Sequence, residues 1–407
     1  MIVLVLNVGS STLKATLYSV AAEVPETPPE PLWRANADWG RHPGRAAITV
    51  SGGDAAGRQW ECAIGAPWEV VEPVLHTIWE GKTRVLAGPQ EIDAVGHRVV
   101  HGGQKLRETT RITAEVKAEI ERVGEFAPEH NPLQAAAVTA AERVLGPAVP
   151  QIAVFDTAFH RTLGADAFTY GGPYGWIEQG IRRYGFHGIS YQYVSRRAAS
   201  ILGRESAGLR LIVCHLGNGC SLAAVRDGAG VDTSMGFTPL EGLVMGSRSG
   251  SVDPGILIYL LRRHGFTADQ LDRMLNKESG LRGLSGVSAD MREVMAARAA
   301  GNERARLAFD VFTHRLCREI GGMLVSLGGL DALVFTGGIG ENSAELRAAV
   351  CGRLIFLGLR LDPERNAASL ADADVAKSDS AVRVLVVRTA EDWEIACECR
   401  RMAASHR

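Results

Sequence analysis

An apolar, β-branched run from Ile2 to Leu6 breaks straight into Asn7-Val8-Gly9-Ser10-Ser11-Thr12 and resumes as an apolar stretch carrying Lys14, Leu17 and Tyr18. This reads as strand, tight glycine turn, strand. The constraint on the fold is that the plan recurs. Leu211-Ile212-Val213-Cys214 enters His215-Leu216-Gly217-Asn218-Gly219-Cys220-Ser221 and leaves through Leu222 to Val225, and Gly217 stands about half a chain length after Gly9. The chain therefore reads as two halves built on one plan. A third glycine run, Gly337-Gly338-Ile339-Gly340-Glu341-Asn342, follows the apolar strand Ala332 to Phe335 and precedes a helix expected from about Ser343. Glycine lets a ligand approach the main chain, and hydroxyls, free amides and a lysine suit a phosphate. Taken singly, each turn also fits an ordinary polar hairpin.

At 407 residues the chain is long for one core, so two domains are expected, divided near Thr157. A net charge of −2 without a long basic run argues against a nucleic-acid partner. Seven cysteines with no Cys-x-x-Cys pair suggest buried thiols in a reducing compartment rather than a disulfide framework or a zinc site. No apolar run approaches the ~20 residues that cross a bilayer. The expected location is the cytoplasm, with no membrane association.

Between the glycine turns, Val24 to Pro31 is too proline-rich for helix or central strand, and residues 33 to 64 read as short antiparallel strands. Helices are expected at about 67–79, 113–123, 132–145, 190–202 with Ser190 as cap, 288–295, 302–327 and from about 391 or 393 to the end, with a further helix from about Pro254. Several polar residues sit at element ends, and each has an ordinary reading beside a functional one. Arg98, ending the strand 92–100 before His101-Gly102-Gly103, is a surface residue or a two-pronged anion ligand. Asp156, ending the strand 152–155, is a turn cap or a carboxylate delivered to a site. His187, in Tyr184-Gly185-Phe186-His187-Gly188, is a structural donor or a catalytic one. Arg248 lies in Met245-Gly246-Ser247-Arg248-Ser249-Gly250, and Glu391 opens the last helix, where it also complements the helix dipole.

In order and spacing, the Asn7 to Lys14 turn, Gly96 to Gly103, Phe155 to His160, Tyr184 to Gly188, His215 to Ser221, Met245 to Gly250 and Phe335 to Asn342 resemble the acetate kinase family, over essentially the whole chain. That family belongs to the acetate and sugar kinase, heat-shock cognate and actin superfamily. The resemblance implies an α/β fold of two ribonuclease-H-like, actin-like domains, each a mixed sheet flanked by helices, closing around a nucleotide. It places residues 1–157 with the final helix 393–407 in the first domain, and 158–392 in the second. It implies an ATP:acetate phosphotransferase, interconverting ATP and acetate with ADP and acetyl phosphate by direct in-line transfer. Propionate or another short-chain carboxylate is the alternative acceptor, and an actin-like ATPase without an acyl acceptor a further alternative. Asp156, Arg98, Arg248 and His187 are the implied catalytic residues. Val100, Glu129, Phe186 and Pro239, with Arg98, are implied at the acceptor. Lys14, His215, Leu216, Gly217, Asn218, Gly219, Asp290, Met291, Arg292, Gly337, Gly338, Ile339, Gly340 and Asn342 are implied at the nucleotide. Asn7 and Glu391 are implied at magnesium, with manganese as an alternative metal, and a homodimer through the second domain is implied.

The chain departs from the family pattern at four places. Ser251 stands where an acidic residue is frequent, Ala390 and Asp392 alter a Thr-Asn-Glu-Glu segment, and Glu129 replaces a leucine before His-Asn-Pro. A glutamate beside the acetate methyl would either turn outward, leaving a slightly larger pocket, or face inward and favour a hydroxylated acceptor.

Overall fold

A computed structural model describes residues 1–40, 44–53, 55–368 and 371–405. The strand expectation at residues 41–43 and 54, and the end of the final helix at 406–407, lie outside the described residues. By internal packing the chain divides into one unit of Met1–Ala158 with Ala390–Arg407 and a second of Phe159–Thr389. The division falls one residue beyond the expected Thr157, and the first unit takes in the C-terminal segment from Ala390.

The first unit holds an eight-stranded mixed sheet. Its strands are β1 (Ile2–Val8), β2 (Thr12–Ser19), β3 (Trp33–Asp38), β4 (Arg45–Gly52), β5 (Ala55–Ala63), β6 (Ala94–Val99), β7 (Thr110–Arg111) and β8 (Gln151–Phe155), in the order 5-4-3-2-1-6-8-7. β1 runs antiparallel to β2 and parallel to β6, which runs parallel to β8. The helix Asn131–Leu145 opens with proline in its first turn and ends at Gly146, whose φ is 79°. Its buried Ala137, Ala141 and Leu145 join the core cluster that holds Leu4 and Leu6, and its Ala135 and Val138 the cluster that holds Val99 and Phe155. The helix Glu391–Ser405 packs on β1 and β6. Gly96 permits this: a β-carbon there would lie 2.5 Å from Ile395 Cγ2 and 2.8 Å from Cys399 Sγ.

The second unit repeats the core. β9 (Arg210–Leu216), β10 (Cys220–Arg226), β11 (Ala229–Thr233), β12 (Ala332–Thr336), β13 (Ala373–Asp374) and β14 (Arg383–Val386) lie in the order 11-10-9-12-14-13. β9 is antiparallel to β10 and parallel to β12, and β12 is parallel to β14. β3-β2-β1-β6-β8 and β11-β10-β9-β12-β14 thus share one order and one pattern of directions, which is what the repeated glycine hairpin foretold. The helix Glu303–Leu327 lies on β9 and β10; Asn302 caps it through Ala305 N, Gly328 ends it at φ 67°, and Phe309, Phe312, Leu316, Ile320 and Met323 fill its buried stripe.

Local expectations differ from the structure in four places. The helix expected over 67–79 is a 3₁₀ turn, Pro67–Val70, and a short α-helix, Val71–His76, the two divided where Pro73 has no N–H to bond back to the preceding turn. The helix expected at 288–295 is Met291–Ala299, capped by Asp290. Ser190 is not a cap, since the helix Gly188–Ile201 begins at His187, in the left-handed region at φ 58°. The third glycine run is not a loop: Gly337–Asn342 is itself a short helix, and Ser343 caps the next, Ala344–Arg353. Among the described residues no helix is long and apolar enough to cross a membrane.

Candidate active site

In the first unit the parallel neighbours β1, β6 and β8 end on the same edge of the sheet, and their last residues bring Asn7, Arg98 and Asp156 together. Arg98 Nε donates to Asp156 Oδ1 at 3.2 Å and Oδ2 at 3.1 Å, Nη2 donates to Oδ2 at 2.6 Å, and Nη1 donates to Asn7 Oδ1 at 3.2 Å. Asp156 is fully buried and Arg98 half-buried. One N–H on each terminal nitrogen of the guanidinium is left by these bonds. Burial alone would lower the Arg98 pKa, but Asp156 and Glu391, with Asp392, more than reverse it and hold the guanidinium charged. Asp392 accepts from Thr16 Oγ1 at 3.1 Å and lies 3.5 Å from Asn7 Nδ2, so the altered C-terminal segment still joins the cluster. Lys14 is exposed opposite Asn7 in the β1–β2 register and lines, with Thr16 and Asp392, a cavity of about 360 Å³.

Two residues that sequence reasoning passed over hold these strand ends. Gln134 accepts from Val100 N at 3.0 Å and donates to Val8 O at 3.1 Å, tying β6 to β1. Asn131 accepts from His101 N and donates to His101 O. The available signal was two amides three residues apart on the buried face of an otherwise apolar helix. Val100 is buried, while Glu129 is exposed in the turn before that helix.

In the second unit the β9–β10 hairpin turns through Gly217-Asn218-Gly219. His187 stacks on His215 with ring centroids 4.2 Å apart and planes at 21°. Its left-handed backbone is uncommon for a residue with a side chain and marks a constrained position. Its Nδ1 lies 2.8 Å from Ser221 Oγ, and His215 Nδ1 lies 2.8 Å from Ser190 Oγ. A β-carbon placed on Gly219 would sit 3.4 Å from His187 Nε2 and 3.6 Å from Arg248 Nη1, so both tips converge on the same space. Arg248 also donates to Pro239 O at 3.1 Å, and Phe186 is buried with its carbonyl bonded to His160 Nε2. Ser251, which stands where an acidic residue is frequent in the family, closes the loop, with Oγ accepting from Gly242 N and its own N–H donating to Gly242 O.

A cavity of about 1010 Å³ in the same unit is lined by Gly217, Asn218, Asp290, Met291, Arg292, Gly338, Ile339 and Asn342. His215, Leu216, Gly219, Gly337 and Gly340 do not line it; His215, Leu216, Gly337 and Gly340 are buried within the framework behind it. Asp290 caps its helix and pairs with the exposed Arg292, whose hydrogen bond holds the carboxyl below the usual range. Arg347, wholly buried, donates to the carbonyls of Gly340 and Glu341, each at 2.8 Å, and to Asn366, fixing the end of the glycine helix from behind. Glu341 accepts from the amides of Gly337 and Thr389, and burial raises its pKa.

No cluster of three or more His, Cys, Asp or Glu among the described residues forms a protein cage for a metal. The first unit nevertheless fits a hard divalent ion: three carboxylates, Asp156, Glu391 and Asp392, act on one guanidinium, which leaves net negative charge and oxygen donors. An ion that takes one or two carboxylates and completes its shell with water and phosphate oxygens needs no more.

The profile of the Acetokinase family matches residues 2–397. The acetate kinase of Gloeobacter violaceus is 57% identical over 400 residues, spanning 98% of each chain, and that of a Cyanothece species is 54% identical over 397 residues, spanning 98% of this chain and 97% of that one. Among solved structures, acetate kinase from Porphyromonas gingivalis matches with a TM-score of 0.90 at 39% identity over 99% of both chains, and a propionate kinase from Francisella tularensis subsp. tularensis with 0.88 at 37% over 98% of both. With its two repeated cores and a full-length match in sequence and structure, the chain belongs to the acetokinase family.

Proposed function

We propose that the chain is an acetate kinase, transferring the γ-phosphoryl group of ATP to acetate, reversibly and in line, without a covalent phosphoenzyme. The observation that carries the chemistry is the convergence of His187 Nε2 and Arg248 Nη1 over Gly219. An acceptor carboxylate is already ionised at neutral pH, so the reaction needs no strong base. It needs two anions brought together, and hence fixed donors and positive charge where charge develops. In this reading His187 and Arg248 donate to the oxygens of the transferring group, and the remaining N–H groups of Arg98 orient the acceptor carboxylate. Asp156 holds the Arg98 fork in place. Val100, Phe186 and Pro239 contribute apolar surface to acetate recognition, with the Glu129 side chain turned to solvent. The cavity of the second unit takes the adenosine of ATP or ADP, beside Asp290, Met291, Arg292 and the glycine helix. Lys14 serves the nucleotide phosphates.

Membership of the family implies ATP and a divalent metal. Magnesium, replaceable by manganese, would be held by Asn7, Glu391 and Asp156, directly or through water. When bound it neutralises charge on the phosphate oxygens. The protein works in the cytoplasm as a homodimer. Its second unit supports that assembly by exposing Ile256, Ile258, Tyr259 and Leu261 on the helix Pro254–His264, none of whose residues is buried.

The test is trapping of acyl phosphate by hydroxylamine with ATP and, in turn, acetate, propionate and butyrate. Acetate giving the highest kcat/KM supports the reading, and ATP turnover without any trapped acyl phosphate overturns it.

A further inference from the structure

Behind His187 lies a chain of hydroxyls that can point only one way. Tyr191 and Ser221 are each wholly buried, and the Tyr191 hydroxyl meets Ser221 Oγ, which meets His187 Nδ1. A phenol proton buried without an acceptor is costly, and among the described residues Ser221 Oγ is the acceptor within its reach. Tyr191 therefore donates to Ser221. The single proton of Ser221 is then committed to His187 Nδ1, which must accept it. The ring proton is left on Nε2, the atom that faces the space over Gly219.

We propose that Tyr191 and Ser221 are positioning residues that hold His187 as a neutral imidazole with its proton on Nε2. An imidazolium would have to donate from Nδ1 to Ser221, and then either the serine proton, with Ser221 accepting from both neighbours, or the phenol proton would be left in the interior without an acceptor among the described residues. Burial raises the Tyr191 pKa far above its usual value, so the phenol does not escape this by ionising. Of the groups facing His187 in its unit, the Arg248 guanidinium disfavours a second positive charge, and neither His215 nor Cys220 is an anion that would favour one. His215 stacks on it from β9, Arg248 Nη1 approaches over Gly219, and Cys220, beside Ser221, is a thiol whose pKa burial raises to about 12. The partner histidine is different. His215 Nδ1 meets Ser190 Oγ and then Thr389 Oγ1, but Thr389 is half-buried, so water can take its proton and the chain has no forced direction. Positive charge at the transferring group thus comes from arginine, and His187 supplies a donor whose protonation does not change near neutral pH.

The inference deepens the role given to His187 in the acetate kinase reading, but its test needs no substrate. The full-length protein carrying ¹⁵N-labelled histidine is read by long-range ¹H–¹⁵N correlation, with the His187 signal assigned by its disappearance in His187→Gln. The expected result is the neutral Nε2–H form at pH 7, and loss of that preference, with the Nδ1–H tautomer populated as well, in Ser221→Ala, where nothing is left to donate to Nδ1. An Nδ1–H or imidazolium form in the unsubstituted protein overturns the inference, as does an unchanged tautomer in Ser221→Ala. Should Ser221→Ala fail to fold, the tautomer in the unsubstituted protein decides alone. Loss of acyl phosphate formation with the tautomer intact would instead reject the acetate kinase reading.

Discussion

Gly219→Ala separates the proposed chemistry from the fold. Gly219 has a backbone open to any residue, since it is absent from the positive-φ positions, and the nearest atoms to an added methyl are 3.4, 3.5 and 3.6 Å away, which is ordinary or slightly tight contact. Folding should therefore be unharmed, and restricting the unfolded chain should stabilise the protein by roughly 0.4–1 kcal/mol. The same methyl occupies the space between His187 Nε2 and Arg248 Nη1, where the reading places an oxygen of the transferring group. Losing one such donor typically costs about 2.7–4 kcal/mol in the transition state, or roughly a hundred- to a thousandfold in kcat. Both donors are obstructed here, so a fall of at least about a hundredfold is expected. The assay is hydroxylamine trapping under saturating ATP and acetate, alongside a thermal melt and nucleotide titration. A folded variant whose kcat stays within about threefold of the unsubstituted enzyme would refute the placement of the phosphoryl group over Gly219.

Arg98→Ala should cost roughly a hundred- to a thousandfold in kcat/KM for acetate, and it leaves Asp156 buried without its fork; a variant with near-normal turnover removes Arg98 from the mechanism. Glu391→Ala should raise the magnesium concentration needed for half-maximal rate more than it raises the KM for acetate, and a change confined to acetate dependence would count against the metal assignment. Acid should weaken both units. His97 and His160 are buried and held neutral, with pKa values lowered mainly by desolvation to about 4. Below the unfolded value of about 6.5 the unfolded chain binds protons that the native state refuses, so stability is lost as pH falls from about 6.5 towards about 4. The loss between pH 7 and pH 5 is about 2 kcal/mol for each histidine, and a urea midpoint unchanged over that interval would show that they are not held neutral. Glu129→Leu should alter the ratio of kcat/KM for acetate to that for propionate by roughly 1–2 kcal/mol in favour of acetate if the outward glutamate leaves extra room; an unchanged ratio rejects the enlarged pocket.

Much of this arrangement was legible in the sequence because it rests on local rules. A β-branched run ending in glycine specifies a strand and a turn, and finding the pattern twice, half a chain apart, foretold two cores with one topology. Arg98 and Asp156 stood out because each ends an apolar strand, where a charged residue has somewhere to go. The misread elements are those in which a non-local demand overrides local preference. Ser190 looks like a cap because serine favours caps, yet its hydroxyl is taken by His215, twenty-five residues away. Gly337–Asn342 looks like a loop because glycine is a poor helix former, but Arg347 holds its last carbonyls and Glu341 its first amide.

The residues that sequence reasoning passed over share a physical character. Gln134, Asn131, Tyr191 and Ser221 are buried polar groups whose purpose lies in what they orient, and a pattern of apolar and polar residues records only that they interrupt a stripe. Burial makes their hydrogen bonds obligatory, and obligation turns a contact into a constraint. Gln134 can satisfy its amide by joining Val8 to Val100, and so fixes the ends of the two strands that carry Asn7 and Arg98. Among the described residues Tyr191 satisfies its hydroxyl through Ser221, and Ser221 its own through His187 Nδ1, which decides which nitrogen of His187 carries the proton. The charged residues supply the chemistry, and these uncharged ones supply its geometry. A substitution such as Ser221→Ala, which removes one oxygen and no charge, is therefore expected to change which nitrogen of His187 carries the proton.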